Sequence, residues 1–219
     1  MTKEPKPPKK NPWNRRDWPK RGDRSMEKLY AAVGRTLSQW EKYEGVLSLL
    51  FSYFVVSEAS IIARRAYNAV RTFEGRAEML QAASTAYFSL YPNVTLQEDF
   101  REVLLSAKRY SPIRNDIAHG SVGHFQPEKI PKSWRPRASY ALYPSYANFK
   151  DRDLADMPTY CYTSKELDYF FREFYLLQSP ANHVAGLLVH LAHTRALRRK
   201  SLARYRATTN PAASQKDGK

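Results

Sequence analysis

The sequence predicts an all-α fold: an antiparallel bundle of four or five helices, interrupted by a loop-rich insertion that carries a candidate short β-hairpin. Three observations lead there. Apolar residues recur at helical spacing over residues 25–110 and again beyond residue 164. Pairs of Thr and Glu three positions apart (Thr95 with Glu98, Thr163 with Glu166) read as capping boxes at helix starts. The prolines of the interior concentrate between residues 121 and 163, where Pro127, Pro131, Pro136, Pro144 and Pro158 forbid long helices.

The elements follow in order. Residues 1–24 hold five prolines and almost no aliphatic side chains, too little apolar surface to order a chain, so a disordered basic tail is expected. Its Trp13 and Trp18 sit among Arg15, Arg16, Lys20 and Arg21, placed to stack on bases or dock on a partner. Ser25 is the expected N-cap of a first helix with Leu29, Val33, Leu37, Trp40, Leu47 and Leu50 on its apolar stripe. Its end, residues 46–57 (VLSLLFSYFVVS), is apolar on nearly all sides. A spanning helix needs about twenty apolar residues, and extension meets Glu58, so a buried core helix is expected and no membrane span.

Residues 58–90 read as a second helical stretch in which Gly75 marks a break or kink. Glu58 there is expected to form a surface ion pair with Arg64 or Arg65. A third helix is expected over about residues 96–110, with Phe100, Val103, Leu104 and Ala107 inward. In the insertion, residues 139–143 and 159–163 look like two short strands. The last helical region, 164 to about 206, is expected to be divided at Ser179-Pro180. The domain is thus drawn as 25–206, with the insertion at 121–163 and a second disordered tail at 207–219.

The net charge of +15 is unevenly placed. Residues 1–24 have nine basic and three acidic side chains, residues 195–219 eight and one, and the long middle only nineteen and seventeen. Basic ends around a nearly neutral body attract polyanions, nucleic acid or an anionic surface, without sequence preference. The single cysteine, Cys161, excludes an internal disulfide and a cysteine-based zinc site, which points to a reducing, cytoplasmic setting. No Walker loop, GxGxxG or nucleophile elbow is present. No signal peptide is expected.

The segment with most chemistry is residues 111–120, SPIRNDIAHG. Ser111-Pro112 reads as a helix start and Gly120 as a stop, leaving a helix of about two turns. Arg114 and Asn115 would then lie in its first turn, where free N–H groups favour a phosphate. His119 lies about 7.5 Å along the axis from Arg114 and roughly 140° around it, within the lean of a long arginine. Asp116, three residues before His119, is placed to orient the imidazole.

Arg114-Asn115-Asp116-Ile117-Ala118-His119-Gly120 resembles the Arg-polar-x-x-x-His signature of the HEPN (higher eukaryotes and prokaryotes nucleotide-binding) superfamily, and an HEPN-like bundle is the fold it implies. The motif itself covers about seven residues; the helical frame around it, about residues 25–206, agrees in architecture. The resemblance implies a metal-independent endoribonuclease of toxin–antitoxin or phage-defence type, a homodimer whose two motifs share one cleft. It implies that Arg114 neutralises the scissile phosphate, that His119 is the general acid or base, and that Asn115 positions either. The reaction would be attack by the RNA's own 2′-OH; it requires no metal or other cofactor. An antitoxin or defence partner protein is also implied. Some such toxins carry a tyrosine two residues after the histidine that a partner nucleotidyltransferase modifies; here that position is Ser121. The alternative is a non-catalytic helical module for dimerisation or RNA binding.

Other signals are weaker. His183, His190 and His193 fall near one stripe of the last helix and are expected to be packing or surface residues. His124 is expected in a loop behind the motif. In the insertion, Lys129, Lys132, Arg135 and Arg137 beside Trp134, Tyr140, Tyr143 and Tyr146 suit single-stranded RNA, although those rings could equally be the insertion's own small core.

Overall fold

The computed structural model of the protein describes residues 19–125, 139–145 and 160–209. Over these the chain is all-α, with five helices and one small antiparallel sheet: α1 (Met26–Val56), α2 (Ile61–Ala69), α3 (Phe73–Leu90), α4 (Val94–His119), β1 (Ser121–His124), β2 (Tyr140–Tyr143) and α5 (Ser164–Thr209). The chain divides into two compact units, Met1–Glu44 with Val103–Gln178, and Gly45–Glu102 with Ser179–Lys219. Both draw on the long helices α1, α4 and α5.

Helix starts follow the local chemistry. Ser25 caps α1 as expected, its hydroxyl accepting from the Lys28 N–H at 3.1 Å. The same hydroxyl donates to Glu27 and holds that carboxyl below its ordinary pKa. Glu166 reaches back to the Thr163 N–H at 3.0 Å, the carboxylate half of a capping box at α5. At α4 the cap is Asn93, whose Oδ1 accepts from the Leu96 N–H, rather than Thr95. The break expected at Gly75 falls earlier, between α2 and α3. Thr72 caps α3 by accepting from the Gly75 N–H, so Gly75 lies in the first turn of a helix and interrupts nothing.

Two expected helix boundaries are absent. Ser111-Pro112 does not open a new helix, because α4 runs unbroken through it to His119. Likewise Pro180 lies inside α5 and does not divide it. The reason is the same in both. Val103, Ala107, Tyr110, Ile113 and Ile117 form a buried stripe at helical spacing that passes through Pro112. Phe170, Phe174, Leu177, Ala181, Val184 and Leu188 do so through Pro180. An interior proline costs about 3 kcal/mol, and continuous burial of several large side chains on either side, each contributing about 1.5–3 kcal/mol, outweighs it.

In the first unit Trp40 is fully buried, edge-on to Tyr43 and Phe174, and donates its indole N–H to Glu44 at 2.7 Å. Thr36 is buried too and shares its hydroxyl between the Ala32 and Leu167 carbonyls. The sheet belongs to this unit. β2 lies where a strand is expected, but its ladder partner is β1, Ser121 opposite Tyr143 through His124 opposite Tyr140. The second expected strand, 159–163, contributes a single bridge, Leu142 to Tyr162. Phe125, Ala141, Cys161 and Tyr143 form a small core beneath it.

The basic tail expected over 1–24 lies outside the described residues up to position 18; beyond that it is docked. Asp23 bridges Tyr140, and its carboxylate accepts from the Ser164 N–H and hydroxyl, both at 2.6 Å, at the start of α5. Gly22 allows the approach, since a Cβ there would come within 2.4 Å of Phe125. At the other end α5 continues to Thr209; the tail expected over 207–219 is thus helical at its start and otherwise outside the described residues.

In the second unit Phe54 packs edge-on to Tyr87, Phe88 and Phe100. Arg195 lies over the Tyr91 ring at 3.9 Å and bonds the Tyr87 hydroxyl. α1 ends where Ser57 takes a left-handed φ of 59°. The buried Ser52 hydroxyl then ties the turn by donating to the Glu58 carbonyl and accepting from the Ser60 N–H. The apolar end of α1 buries Leu47, Leu50, Phe51 and Phe54 as a core helix should. No single helix among the described residues is long and apolar enough to cross a membrane.

Candidate functional site around Arg114 and His119

The candidate site lies on the last two turns of α4. Because α4 is continuous, Arg114 and Asn115 are interior helical residues whose N–H groups belong to the helix. A phosphate site built on free backbone donors at a helix start is therefore not formed; the side chains alone would have to hold the anion.

Those side chains divide by face. Ile113, Asp116 and Ile117 point inward and are buried. Arg114 and Asn115 are half-buried and His119 is exposed. Arg114 and Asn115 are brought together, Nη1 donating to Asn115 Oδ1 at 3.2 Å. The other end of the guanidinium donates to Glu41 at 3.1 Å, an ion pair whose carboxylate side chain is 62% exposed. Arg114 Nε is buried and makes no hydrogen bond among the described residues. An open pair of this kind contributes at most about 1 kcal/mol, so the guanidinium can exchange Glu41 for a phosphate at small cost.

Asp116 does not orient His119. Its Oδ2 accepts hydrogen bonds from the Tyr160 and Tyr162 hydroxyls, both at 3.0 Å, and the residue is 4% exposed. The imidazole of His119 has no hydrogen-bond or ion-pair partner among the described residues. The physical reason is competition: Asp116 shares the buried side of the helix with Ile113 and Ile117, and two phenols there take up its carboxylate. There it anchors the last residues of the insertion. Gly120 ends α4 where β1 begins, and a Cβ on it would sit 2.8 Å from the Asp116 carbonyl and 2.9 Å from that of Tyr143. No side chain fits at that approach, so only glycine serves where the chain leaves α4 for β1, and it does so without a left-handed φ.

Sequence reasoning missed Glu41, 73 positions before its partner, and the two tyrosines that hold Asp116. For Glu41 no signal existed, as it is one exposed acid on α1. For the tyrosines the Tyr160-Cys161-Tyr162 alternation hinted at an extended segment with one inward side, though not at its target. A further pair was missed: Tyr110, fully buried, donates to Glu173, and burial first, then that carboxylate, hold its phenol far above the ordinary tyrosine pKa. Burial, with Glu166 nearby, pushes the Cys161 thiol up to about 12, which makes it a poor nucleophile.

The remaining expectations resolve as follows. His124 lies on β1 rather than in a loop, against the Tyr140 ring. His183, His190 and His193 are exposed. Among the described residues no group of three His, Cys, Asp or Glu is placed to hold a metal. Glu58, Arg64 and Arg65 are all exposed. Lys129, Lys132, Arg135 and Arg137, with Trp134 and Tyr146, lie outside the described residues, as do Trp13 and Trp18.

The fold is all-α, and Arg114, bonded to Asn115 and Glu41, and the exposed His119 both lie off the buried face of the last turns of α4. Comparison with protein-family models, with curated proteins and with solved structures finds no match.

Proposed function

We propose that the chain is an HEPN-type, metal-independent endoribonuclease of a toxin–antitoxin or phage-defence system, acting in the cytoplasm on RNA. The observation that carries this is the state of α4's last turns: among the described residues, an imidazole without a hydrogen-bond or ion-pair partner and a guanidinium bonded to an exposed carboxylate and a half-buried amide, on a helix whose opposite face is locked. The motif resemblance supplies the reaction class.

In the proposed reaction a base removes the 2′-OH proton, the 2′-oxygen forms a bond to phosphorus, and the bond from phosphorus to the 5′-oxygen breaks. The departing oxygen takes up a proton, leaving a 2′,3′-cyclic phosphate and a 5′-OH. His119 moves protons; Arg114, released from Glu41, meets the charge that builds on the phosphate, and Asn115 holds the guanidinium in place. Two proton transfers and one imidazole per motif favour a homodimer whose two copies each lend a His119 to one cleft. A defence partner or antitoxin would act by covering that cleft.

The second reading, a non-catalytic helical dimerisation or RNA-binding module, draws on the Arg114–Glu41 ion pair, which could be a structural clasp. Incubating purified protein with end-labelled RNA in excess chelator separates the two. The nuclease leaves cyclic phosphate ends, lost in Arg114→Ala and His119→Ala. The module leaves the RNA intact, and equal cleavage by all three proteins identifies a contaminant and refutes the proposal.

A further inference from the structure

We infer that one end of the second unit, formed by the α1–α2 and α3–α4 turns and the last described turns of α5, seats on an anionic lipid surface without spanning it. The inference goes beyond the RNA reading above and does not rest on cleavage. Aromatic contacts set the geometry. Phe54, two residues before the end of α1, has its ring 5.7 Å from that of Phe88, two residues before the end of α3, and 4.8 Å from that of Phe100 in the second turn of α4. Both turns therefore lie at the same end of the unit. α5 reaches this end where the Arg195 guanidinium lies over the Tyr91 ring. From residue 196 to 205 every side chain is then exposed although the backbone stays helical.

This end shows water its aliphatic side chains. Val55 and Val56 close α1, Ile61 and Ile62 open α2 after a bend of 119°, and Leu90 and Val94 flank the next turn. All six are exposed, Ile62 at 78% and Leu90 at 74%. They are six of the thirteen exposed large apolar side chains among the described residues. Exposure concentrated in this way, unlike single scattered residues, marks an interaction surface.

Charge chooses the partner. Residues 53–65, 88–97 and 195–203, which build this end, hold six basic residues and one acid, Glu58. The other acids of residues 45–102 lie away from it: Glu74 and Glu78 in the first turns of α3, and Glu98, Asp99 and Glu102 from the second turn of α4 onward. Arg64, Arg65, Arg198, Arg199 and Lys200 are exposed, and their side chains have no hydrogen-bond or ion-pair partner among the described residues. A second copy meeting this end about a two-fold axis would set like charge against like. A nucleic-acid strand would pair with the cations but leave the aliphatic side chains in water. An anionic bilayer accepts both, with the aliphatic groups in the headgroup–acyl boundary and the cations among the phosphates and carboxylates above it.

Each cation near such a surface strengthens partition by about fivefold. The test is flotation of the full chain with vesicles of phosphatidylcholine alone and of phosphatidylcholine with about 30% phosphatidylserine. Three variants accompany the parent: Ile61→Ser with Ile62→Ser, Leu90→Ser with Val94→Ser, and Arg198→Gln with Arg199→Gln and Lys200→Gln. Circular dichroism confirms folding, and the second serine pair, on a different turn, serves if the first does not fold.

The expected result is flotation of the parent with the phosphatidylserine vesicles, at least tenfold weaker with neutral ones, and a fall of at least tenfold in each variant. No flotation of the parent overturns the inference, as does a folded serine pair or glutamine triple that floats as the parent does. A parent that ignores both vesicles but self-associates, or binds labelled RNA, through these side chains gives the end to a second copy or a nucleic acid and overturns it as well.

Discussion

The two faces of α4's last turns, built from seven consecutive residues, do opposite things. The inner face, Ile113, Asp116 and Ile117, is buried and fastened, with a carboxylate clamped by two phenols. The outer face, Arg114, Asn115 and His119, is half-open or open, and His119 has no hydrogen-bond or ion-pair partner among the described residues. The difference teaches that chemical residue types packed into a short motif need not act together. Some of them hold the segment, and others stay on its open side.

The largest expected effect breaks the outer face. His119→Ala should lower RNA cleavage by about 10²- to 10⁴-fold, the usual contribution of a proton-transfer group, and Arg114→Ala by about 10²- to 10³-fold, that of one charge-stabilising donor, while thermal midpoints stay near that of the parent because neither side chain is buried in the core. Gel-resolved cleavage and thermal denaturation together check this. Unchanged cleavage would remove the outer face from catalysis.

Breaking the inner face should do the reverse. Asp116→Ala strands two buried phenols and removes hydrogen bonds to a charged acceptor, each worth about 1.5–3 kcal/mol, so urea unfolding should show a loss of about 3 kcal/mol or more. Tyr160→Phe and Tyr162→Phe should each cost less, since one partner remains. A loss below about 0.5 kcal/mol for Asp116→Ala would mean the carboxylate does not hold this segment.

A smaller effect sharpens the outer face. Glu41→Gln removes the carboxylate that competes with phosphate for Arg114. An exposed pair of about 0.2–1 kcal/mol corresponds to RNA binding tighter by up to about fivefold, measured by anisotropy. Weaker binding would show that Glu41 positions the guanidinium instead of occupying it.

The smallest effect concerns the core under the sheet. Burial first, and Glu166 second, raise the Cys161 thiol from its ordinary 9.0 to about 12. The folded thiol stays protonated where the unfolded one ionises, so its contribution to stability is full below pH 9 and fades as pH rises toward 12. Urea midpoints of the parent should therefore fall more steeply from pH 9 upward than those of Cys161→Ala; parallel curves would mean the thiol is not shielded.

Most of the helical content was legible because apolar spacing is a local signal, and Ser25 and Glu166 cap as their types suggest. The two prolines do not bound helices, for an instructive reason. Proline breaks a bare helix, but the apolar stripes through Ala107, Tyr110 and Ile113 and through Leu177, Ala181 and Val184 override it. The partner of β2 was not legible, because strand pairing is set by the path of the chain and residues 121–124 carry no strong alternation. At the site, residue types and spacing single out Arg114, Asn115 and His119 as candidates, but Asp116's partners lie 44 and 46 positions away. Contacts over such separations leave no periodic trace in one sequence.

The central claim is that the outer face does chemistry and the inner face holds it in place. Single-turnover cleavage of a labelled RNA by His119→Ala and by Asp116→Asn, each normalised to its folded fraction, tests it most directly. The expected result is a fall of at least 100-fold for His119→Ala and a rate within about threefold of the parent for Asp116→Asn, whose amide oxygen can still accept from a phenol. Parent-like cleavage by His119→Ala, or a collapse confined to Asp116→Asn, would contradict it.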